Sequence, residues 1–189
     1  MNIPNQVHVP LLLVAISVVL TGCWSLRSAE GLSGGEVNVN YIPPVAGSAR
    51  WGVTDNVEVR FVQAFENQGY DLFLHTHNTE NAWNAGIAFG VTKLANDPAN
   101  GYTSVVVSTR VSRFVTPYVS AFVPYITEEK RMKLSAGYAS LGADIRIPLW
   151  RSLTFLLTPE IGGFKGGRGG VYSGSVYATG NVGFILALY

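Results

Sequence analysis

Strict alternation marks the run Trp83-Asn84-Ala85-Gly86-Ile87-Ala88-Phe89-Gly90-Val91. Every second residue from Trp83 to Val91 is apolar and mostly large, whereas the residues between them are Asn, Gly, Ala and Gly. A period of two is the signature of a β-strand, because successive side chains point to opposite faces of a sheet. The run therefore predicts a strand with one large apolar face and one face of small residues.

The same alternation recurs along most of the chain from residue 36 onwards, and Pro, Gly, Asn and Asp mark the turns between runs. It predicts ten strands, with eight as the alternative count, and no helix after residue 22. The run Val115–Val123 is apolar on both faces, so its sequence does not orient it. The predicted large apolar face includes Val39, Tyr41, Trp51, Val59, Leu72, Val105, Val107, Leu141, Ile147, Phe155 and Ile161.

The composition bounds the environment of such a sheet. A net charge of +1 without a basic patch gives no indication of nucleic-acid binding. Small residues on one face suit a narrow lumen, and large apolar residues on the other need an apolar surrounding, which lipid supplies. We therefore predict an all-β fold, an antiparallel up-and-down transmembrane β-barrel. A soluble lipoprotein β-sandwich or a lipocalin-like barrel is the alternative.

The predicted turns sort by length between the two ends of this barrel. If the first strand leaves the N-terminal end, that end receives Gly52–Asn56, His77–Asn81, Val111–Arg113 and Pro148–Ser152. The opposite end receives Glu66–Gly69, Ala95–Gly101, Pro124–Lys133 and Lys165–Gly170. The second set is longer on average, and short periplasmic turns with longer outer loops are typical of outer-membrane barrels.

An apolar run from Pro10 to Leu20 leads into Leu20-Thr21-Gly22-Cys23, which holds the only cysteine of the sequence. The run is shorter than the roughly 20 apolar residues of a spanning helix, and with its small residues it indicates a secretory signal. The four residues resemble a bacterial lipobox, which implies cleavage before Cys23 and acylation of Cys23, with palmitate among the acyl chains. The chain then divides into a signal peptide (1–22), a tether (23–35) and a β-barrel domain (36–189).

The C-terminal stretch carries a polar residue and a glycine ahead of alternating hydrophobic residues. These four residues are Asn181, Gly183, Leu186 and Leu188. Together with the strand pattern over residues 36–189, they resemble the outer-membrane β-barrel proteins and their assembly signal, although Tyr189 places the final aromatic one residue out of phase. The resemblance implies a location in the bacterial outer membrane, with outer-membrane lipid and the barrel assembly machinery as partners.

Charged residues fall on the predicted lumen side of several strands. They are Arg50, Glu58, Arg60, Asp144 and Arg146 toward the N-terminal end, with Glu160 further along the lumen. Isolated buried charges are costly, so we expect these groups to pair in a salt-bridge plug that closes the lumen. A charged constriction inside a pore is the alternative interpretation.

His75 and His77 share one face of a predicted strand with Asp71. A His-x-His pair can bind a metal or serve acid/base chemistry. The simpler interpretation is two polar residues of the lumen or its rim, because no acidic or sulfur ligand lies adjacent enough in sequence to complete a site. We therefore predict no metal and no cofactor.

Two families of barrel enzymes offer a comparison for catalysis. Lipid A deacylases carry a His-x-Ser element, where this chain has His75-Thr76-His77, and omptin proteases use acidic pairs that have no match here. The charge run Glu128–Arg131 indicates a solvated loop tip. The sequence thus predicts a lipid-anchored outer-membrane barrel with a structural or interaction role and no catalysis. A narrow, porin-like pore for small solutes or ions is the alternative, and a lipid-modifying enzyme that uses His75 or His77 is a less favoured one.

Overall fold

The computed structural model describes residues 29–42, 46–64, 67–77, 83–93, 100–128, 131–134, 136–168 and 171–188, which form strands and no helix. In these segments, then, no helix is long and apolar enough to cross a membrane. The strands are β1 (Glu36–Ile42), β2 (Ala46–Thr54), β3 (Val57–Ala64), β4 (Asn67–His75), β5 (Trp83–Lys93), β6 (Asn100–Thr109), β7 (Val115–Glu128), β8 (Arg131–Leu134), β9 (Ala136–Trp150), β10 (Leu153–Arg168) and β11 (Val171–Ala187).

All strand pairings are antiparallel, and they close into a barrel. Consecutive strands pair from β1 to β7, the sheet continues through β9, β10 and β11, and β11 pairs back with β1. Because β8 and β9 both pair with β7 on either side of residue 135, they form one strand of the wall. The ten-stranded up-and-down barrel is confirmed, and the count of eight and the sandwich are wrong. We call the end at which β1 begins and β11 finishes the near end, and the opposite end the far end.

Side chains alternate between lumen and exterior along each strand, as the sequence predicted. On β5, Asn84 and Ala88 are buried, whereas Trp83 and Phe89 are exposed. The structure also orients β7, whose alternate residues Thr116 to Phe122 face inward. Large apolar side chains are exposed on every side of the barrel, including Val39, Tyr41, Trp51, Val59, Leu72, Val105, Val107, Leu141, Ile147 and Ile161.

Most predicted connections are shorter than the sequence suggested, since residues 52–54 belong to β2 and residues 67–69 belong to β4. Among the connections between described strands at the far end, only that between β5 and β6 exceeds three residues, so the predicted excess of long loops at that end is wrong. The expected loop 124–133 is mostly strand, since β7 runs to Glu128 and pairs with β8 from Arg131. Likewise β10 runs to Arg168 and pairs with β11 from Val171, through the expected loop 165–170. Pro148 to Trp150 belong to β9 rather than to a turn. These extensions are rich in polar residues and glycine, so they lack the apolar alternation from which a strand is predicted. The backbone nevertheless continues to pair there.

The N-terminal part of the described chain lies inside the barrel. Residues 29–35 fall in the region that sequence assigned to a tether, yet Ala29, Glu30 and Leu32 are fully buried at the near end of the lumen. Ala29 packs with Phe73, and Leu32 packs with Leu156. The signal peptide, Cys23 and Tyr189 lie outside the described residues, so what the sequence indicates about them stays a prediction.

Candidate functional site in the barrel lumen

Residues 29–35 form a short inward segment that we call the N-plug. Its C-terminal part is fixed to the wall by backbone bonds: the Gly35 amide donates to the Gly52 carbonyl (2.8 Å), and the Leu188 amide donates to the Gly35 carbonyl (3.0 Å). The Gly34 amide also donates to the Asp55 carboxylate (2.9 Å). The N-plug therefore continues the hydrogen bonding of the near rim instead of hanging free of it.

Glycine is required where the N-plug meets the wall. Gly31 has a φ of 66° and lies against the ring of His75, so a side chain at that position would overlap the imidazole. A Cβ at Gly52 would likewise overlap the carbonyl group of Ser33. Only a residue without a Cβ allows this left-handed turn and these close approaches. The fit of the N-plug thus depends on glycines of both the plug and the barrel wall.

Glu30 is the charged centre of the N-plug, and its side chain is 1% exposed. Arg110 binds both carboxylate oxygens, Nη1 of Arg146 donates to Oε1 (2.9 Å), and the Thr116 hydroxyl donates to Oε2 (2.9 Å). Nη2 of Arg146 also donates to the Gly31 carbonyl (3.2 Å). Two guanidinium groups and a hydroxyl from the wall therefore converge on one carboxylate of the N-plug.

The second charged unit is the pair of Arg50 and Glu58 on β2 and β3. Nε and Nη2 of Arg50 each donate to a different oxygen of Glu58, both at 2.8 Å. The arginine side chain is 2% exposed and the glutamate side chain is fully buried. A two-pronged pair of this kind satisfies both oxygens and fixes the plane of the guanidinium.

The third unit joins Arg60, Asp71 and Tyr102 on three strands. Asp71 accepts from Arg60 Nε (2.8 Å) and from the Tyr102 hydroxyl (2.5 Å). Asp71, Gly90 and Tyr102 occupy one row across β4, β5 and β6. A Cβ at Gly90 would overlap the tyrosine ring. The missing side chain therefore lets the ring lie across β5 and reach a carboxylate two strands away.

The same arrangement recurs on the other side of the β6–β7 hairpin. Tyr118, Gly142 and Glu160 occupy one row across β7, β9 and β10. The Tyr118 hydroxyl donates to Glu160 (2.7 Å), and a Cβ at Gly142 would overlap its ring. Each of the two rows thus has a tyrosine that crosses a glycine to a carboxylate, so both rings lie over the inner face of a neighbouring strand.

The six charged residues predicted for the lumen all face it. Asp144 accepts from the Thr158 hydroxyl (2.9 Å), and its carboxylate lies 3.9 Å from Arg146. The hydrogen-bonded ion pairs form between adjacent strands or with the N-plug, and Asp144 on β9 also interacts electrostatically with Arg50 on β2. Sequence reasoning missed Glu30, Arg110 and Tyr102 as partners. The alternation along β6 places Arg110 and Tyr102 on the inward face, so the sequence could have indicated them. Glu30 lies in a segment without periodicity, so no such signal was present.

The histidines lie next to the N-plug at the near end. The ring of His75 stacks on Phe73, with ring centroids 5.0 Å apart, and neither ring nitrogen has a hydrogen-bond partner within the described part of the chain. His77 contacts the Ser33 hydroxyl (3.4 Å) and the Glu30 carbonyl (3.3 Å). Among the described residues, no group of three or more His, Cys, Asp or Glu side chains is arranged to hold a metal ion.

The C-terminal residues of the predicted assembly signal lie on both faces of β11. Asn181 and Gly183 face inward, whereas Leu186 and Leu188 are exposed on the outside. Gly183 pairs with Asn40 in the seam between β11 and β1, where a Cβ would overlap the asparagine. These positions serve barrel closure, and their role in assembly stays a prediction.

The predicted charge run 128–131 sits at the hairpin of β7 and β8. Glu128 and Arg131 are paired residues of that hairpin, and residues 129–130 lie outside the described segments. Glu128 and Arg131 thus end the paired part of β7 and β8 at the far end, where the sequence had suggested a longer loop.

Comparison with known proteins identifies no family. No protein-family model matches the sequence, and no curated protein matches it. Among solved structures, the chain is similar to a NanC porin determined in a rhombohedral crystal form, with 9% identity over 82% of this chain and 99% of that chain and a TM-score of 0.41. A likeness at that TM-score carries no argument about what this chain binds or transports.

Proposed function

We propose that this chain is a lipid-anchored β-barrel of the bacterial outer membrane with an occluded lumen, and that its role is structural or interaction-based rather than catalytic. The observation that carries the proposal is the burial of the inward face. Residues as different as Glu58, Phe73, Asn84, Val106 and Tyr118 face the lumen and are at most 2% exposed. Water does not reach side chains so fully covered, whereas the wall of an open aqueous channel is wet.

The outer surface supports a membrane location. Trp51, Trp83 and Trp150 lie in the near halves of their strands with exposed rings, as the interfacial aromatic belts of membrane proteins do. On β5 the exposed residues run from Trp83 to Val91, eight steps of about 3.4 Å along the strand. At a tilt of about 40°, this path rises about 21 Å, close to the apolar band of about 25 Å that barrels present to lipid.

The proposed anchor is compatible with the position of the N-plug. Ala29 lies six positions after Cys23, so an extended chain spans at most about 22 Å between them. Acyl chains on Cys23 would therefore enter the membrane close to the near rim, with the near end toward the periplasm. We expect acyl labelling of the wild type with a palmitate analogue and none of Cys23→Ala. Normal processing and membrane retention of the unlabelled variant would rule out the anchor.

A conductance measurement distinguishes an occluded lumen from the alternative of an open pore. We expect the purified, folded chain to give no steady current above background in planar bilayers, with heat-modifiable migration on gels as the control for folding. Glu58→Ala, which opens one of the buried ion pairs, serves as the comparison. Steady conductance of the wild type, with only a change of ion selectivity in Glu58→Ala, would favour the pore and overturn the proposed occlusion.

The absence of catalysis is supported by the surroundings of the histidines. His75 is covered by the N-plug at Gly31, and His77 contacts Ser33, so neither side chain lies on the lipid-facing surface where a lipid substrate would approach. We expect lipid A composition to be the same in cells with the wild type and with His75→Ala/His77→Ala. A change in acylation that tracks the two histidines would revive the enzyme alternative.

A further inference from the structure

The groups that hold Glu30 belong to the barrel wall and not to the N-plug. Arg110 follows β6, Thr116 lies on β7, and Arg146 lies on β9, which pairs with β7. The Arg146 amide also donates to the Phe114 carbonyl (2.7 Å), which ties β9 to the β6–β7 turn. Strand pairing and the bond at Phe114 position Thr116 and Arg146, and Arg110 follows directly on the end of β6, so the placement of these three residues on the wall does not depend on the N-plug.

The wall groups make a site whose shape fits a carboxylate. Oε1 of Glu30 accepts from Arg110 and Arg146, and Oε2 accepts from Arg110 and Thr116. All donors therefore converge on two oxygens of one planar group, which is the geometry that guanidinium recognises best. Arg110 and Arg146 are partly exposed, at 29% and 18%, but their guanidinium groups repel each other when no anion lies between them, so the site favours an occupant of negative charge.

Unused donors surround the same place. Nε of Arg146 is buried and has no hydrogen-bond partner within the segments that the structure describes. Both ring nitrogens of His75, a residue only 6% exposed, also have no such partner there. Gly31 touches the His75 ring and accepts a hydrogen bond from Arg146, so these polar groups flank the N-plug beside Glu30. Buried polar groups are normally paired, and these are available to a ligand larger than one carboxylate.

We propose that Arg110, Thr116 and Arg146 form a carboxylate-binding site at the near end of the lumen, that Glu30 occupies it as an internal ligand, and that a small monocarboxylate binds there when the Glu30 side chain is absent. The inference goes beyond occlusion of the lumen, because it assigns a ligand class to a place that the chain itself fills. It depends on neither the lipid anchor nor the type of membrane.

Glu30→Ala tests the site by chemical rescue, since it removes the internal carboxylate and leaves the wall groups in place. The full chain is refolded in detergent micelles, and its Tm is measured in sodium acetate and in sodium chloride at equal pH and ionic strength. We expect a lower Tm for Glu30→Ala in chloride and a rise that saturates with acetate, whereas the wild type responds equally to both salts. A ligand that binds only the folded state raises Tm with its concentration.

Two control variants test whether acetate acts at the site that Glu30 occupies. Glu36→Ala removes another acid that contacts the N-plug, whose carboxylate accepts from the Ser33 amide (2.9 Å), and it should show no acetate effect. Glu30→Ala/Arg146→Ala removes one wall guanidinium and should lose the rescue. If Glu30→Ala does not fold in chloride, the fraction of heat-modifiable, folded barrel after refolding in acetate replaces Tm as the measurement.

The proposal fails if acetate acts no better than chloride on Glu30→Ala, or if the rescue survives in the double variant. It also fails if sulfate matches acetate, because the site would then be a general anion site without preference for a planar carboxylate. If the bilayer recording shows no current and acetate does not rescue Glu30→Ala, the occluded lumen is supported and only the carboxylate site is overturned. Steady conductance together with full rescue by acetate would support the carboxylate site and overturn the occluded lumen.

Discussion

Removal of the Glu58 carboxylate is the most direct perturbation of the lumen. Glu58→Ala leaves the Arg50 guanidinium without the two 2.8 Å bonds that it makes in a buried place. Loss of one partner of a buried pair costs about 3–5 kcal/mol, because the other charge is stranded. Asp144 interacts electrostatically with Arg50 and replaces part of the lost partner. We therefore expect the free energy of unfolding to fall by about 3 kcal/mol, the lower end of that range.

Equilibrium unfolding in urea, followed by tryptophan fluorescence in lipid vesicles, measures this loss. Arg50→Ala and the double variant Arg50→Ala/Glu58→Ala complete a cycle, in which the double variant should lose less than the sum of the single losses. Glu58→Gln retains the shape without the charge and should lie between the wild type and Glu58→Ala. A loss below about 1 kcal/mol for Glu58→Ala, as at exposed pairs, would refute the buried pair. Additive single losses would also refute it.

Two further expectations concern the outer face and the N-plug. Phe89→Arg on the middle of β5 should reduce membrane assembly by about 2–4 kcal/mol, whereas Trp83→Arg at the end of the same strand should cost about 0–1 kcal/mol; equal effects, measured as folded fraction in vesicles, would argue against lipid contact. Burial raises the pKa of Glu30, which lies outside the spanning strands, but Arg146 and Arg110 outweigh burial and lower that pKa below its ordinary value of 4.5. The stabilisation that Glu30 provides is therefore present above pH 4.5, and it is lost as the pH falls through the lower pKa of the folded state. The difference in free energy of unfolding between the wild type and Glu30→Gln should therefore decrease in acid.

The barrel itself was predictable because its signal is local. The alternation of Trp83 to Val91 states which side chains face the lumen, and parity alone placed Arg50, Glu58 and Arg60 inward as the structure has them. The partners were less accessible, since they depend on register. Arg60 meets Asp71 because the two residues are directly paired across β3 and β4, a fact that follows from turn length rather than from composition.

The tyrosine rows show a second limit of pattern reasoning. Small residues such as Gly90 and Gly142 on the inner face suggested a narrow lumen, but not which ring would lie over them. Each glycine is covered by a tyrosine from an adjacent strand, so a small residue marks a place that a neighbouring side chain fills rather than an empty one. For this reason Gly90→Ser would be a poor neutral control for the lumen side, although serine is small and polar.

The N-plug was beyond prediction, because its place is set by tertiary contacts alone. Its residues have no period, and the glycines that seat it are Gly31 within the N-plug and Gly52 on β2. Its attachments to the wall include backbone bonds at Gly35, the bond from Gly34 to Asp55 and the contacts of the Glu30 carboxylate, and none of these takes part in the strand pairing that closes the barrel. The ladder between β1 and β11 begins only at Glu36. The N-plug can therefore be displaced from the near end without loss of the barrel fold. A substitution at Glu30 should change closure of the lumen while the strand pairing of the barrel is retained.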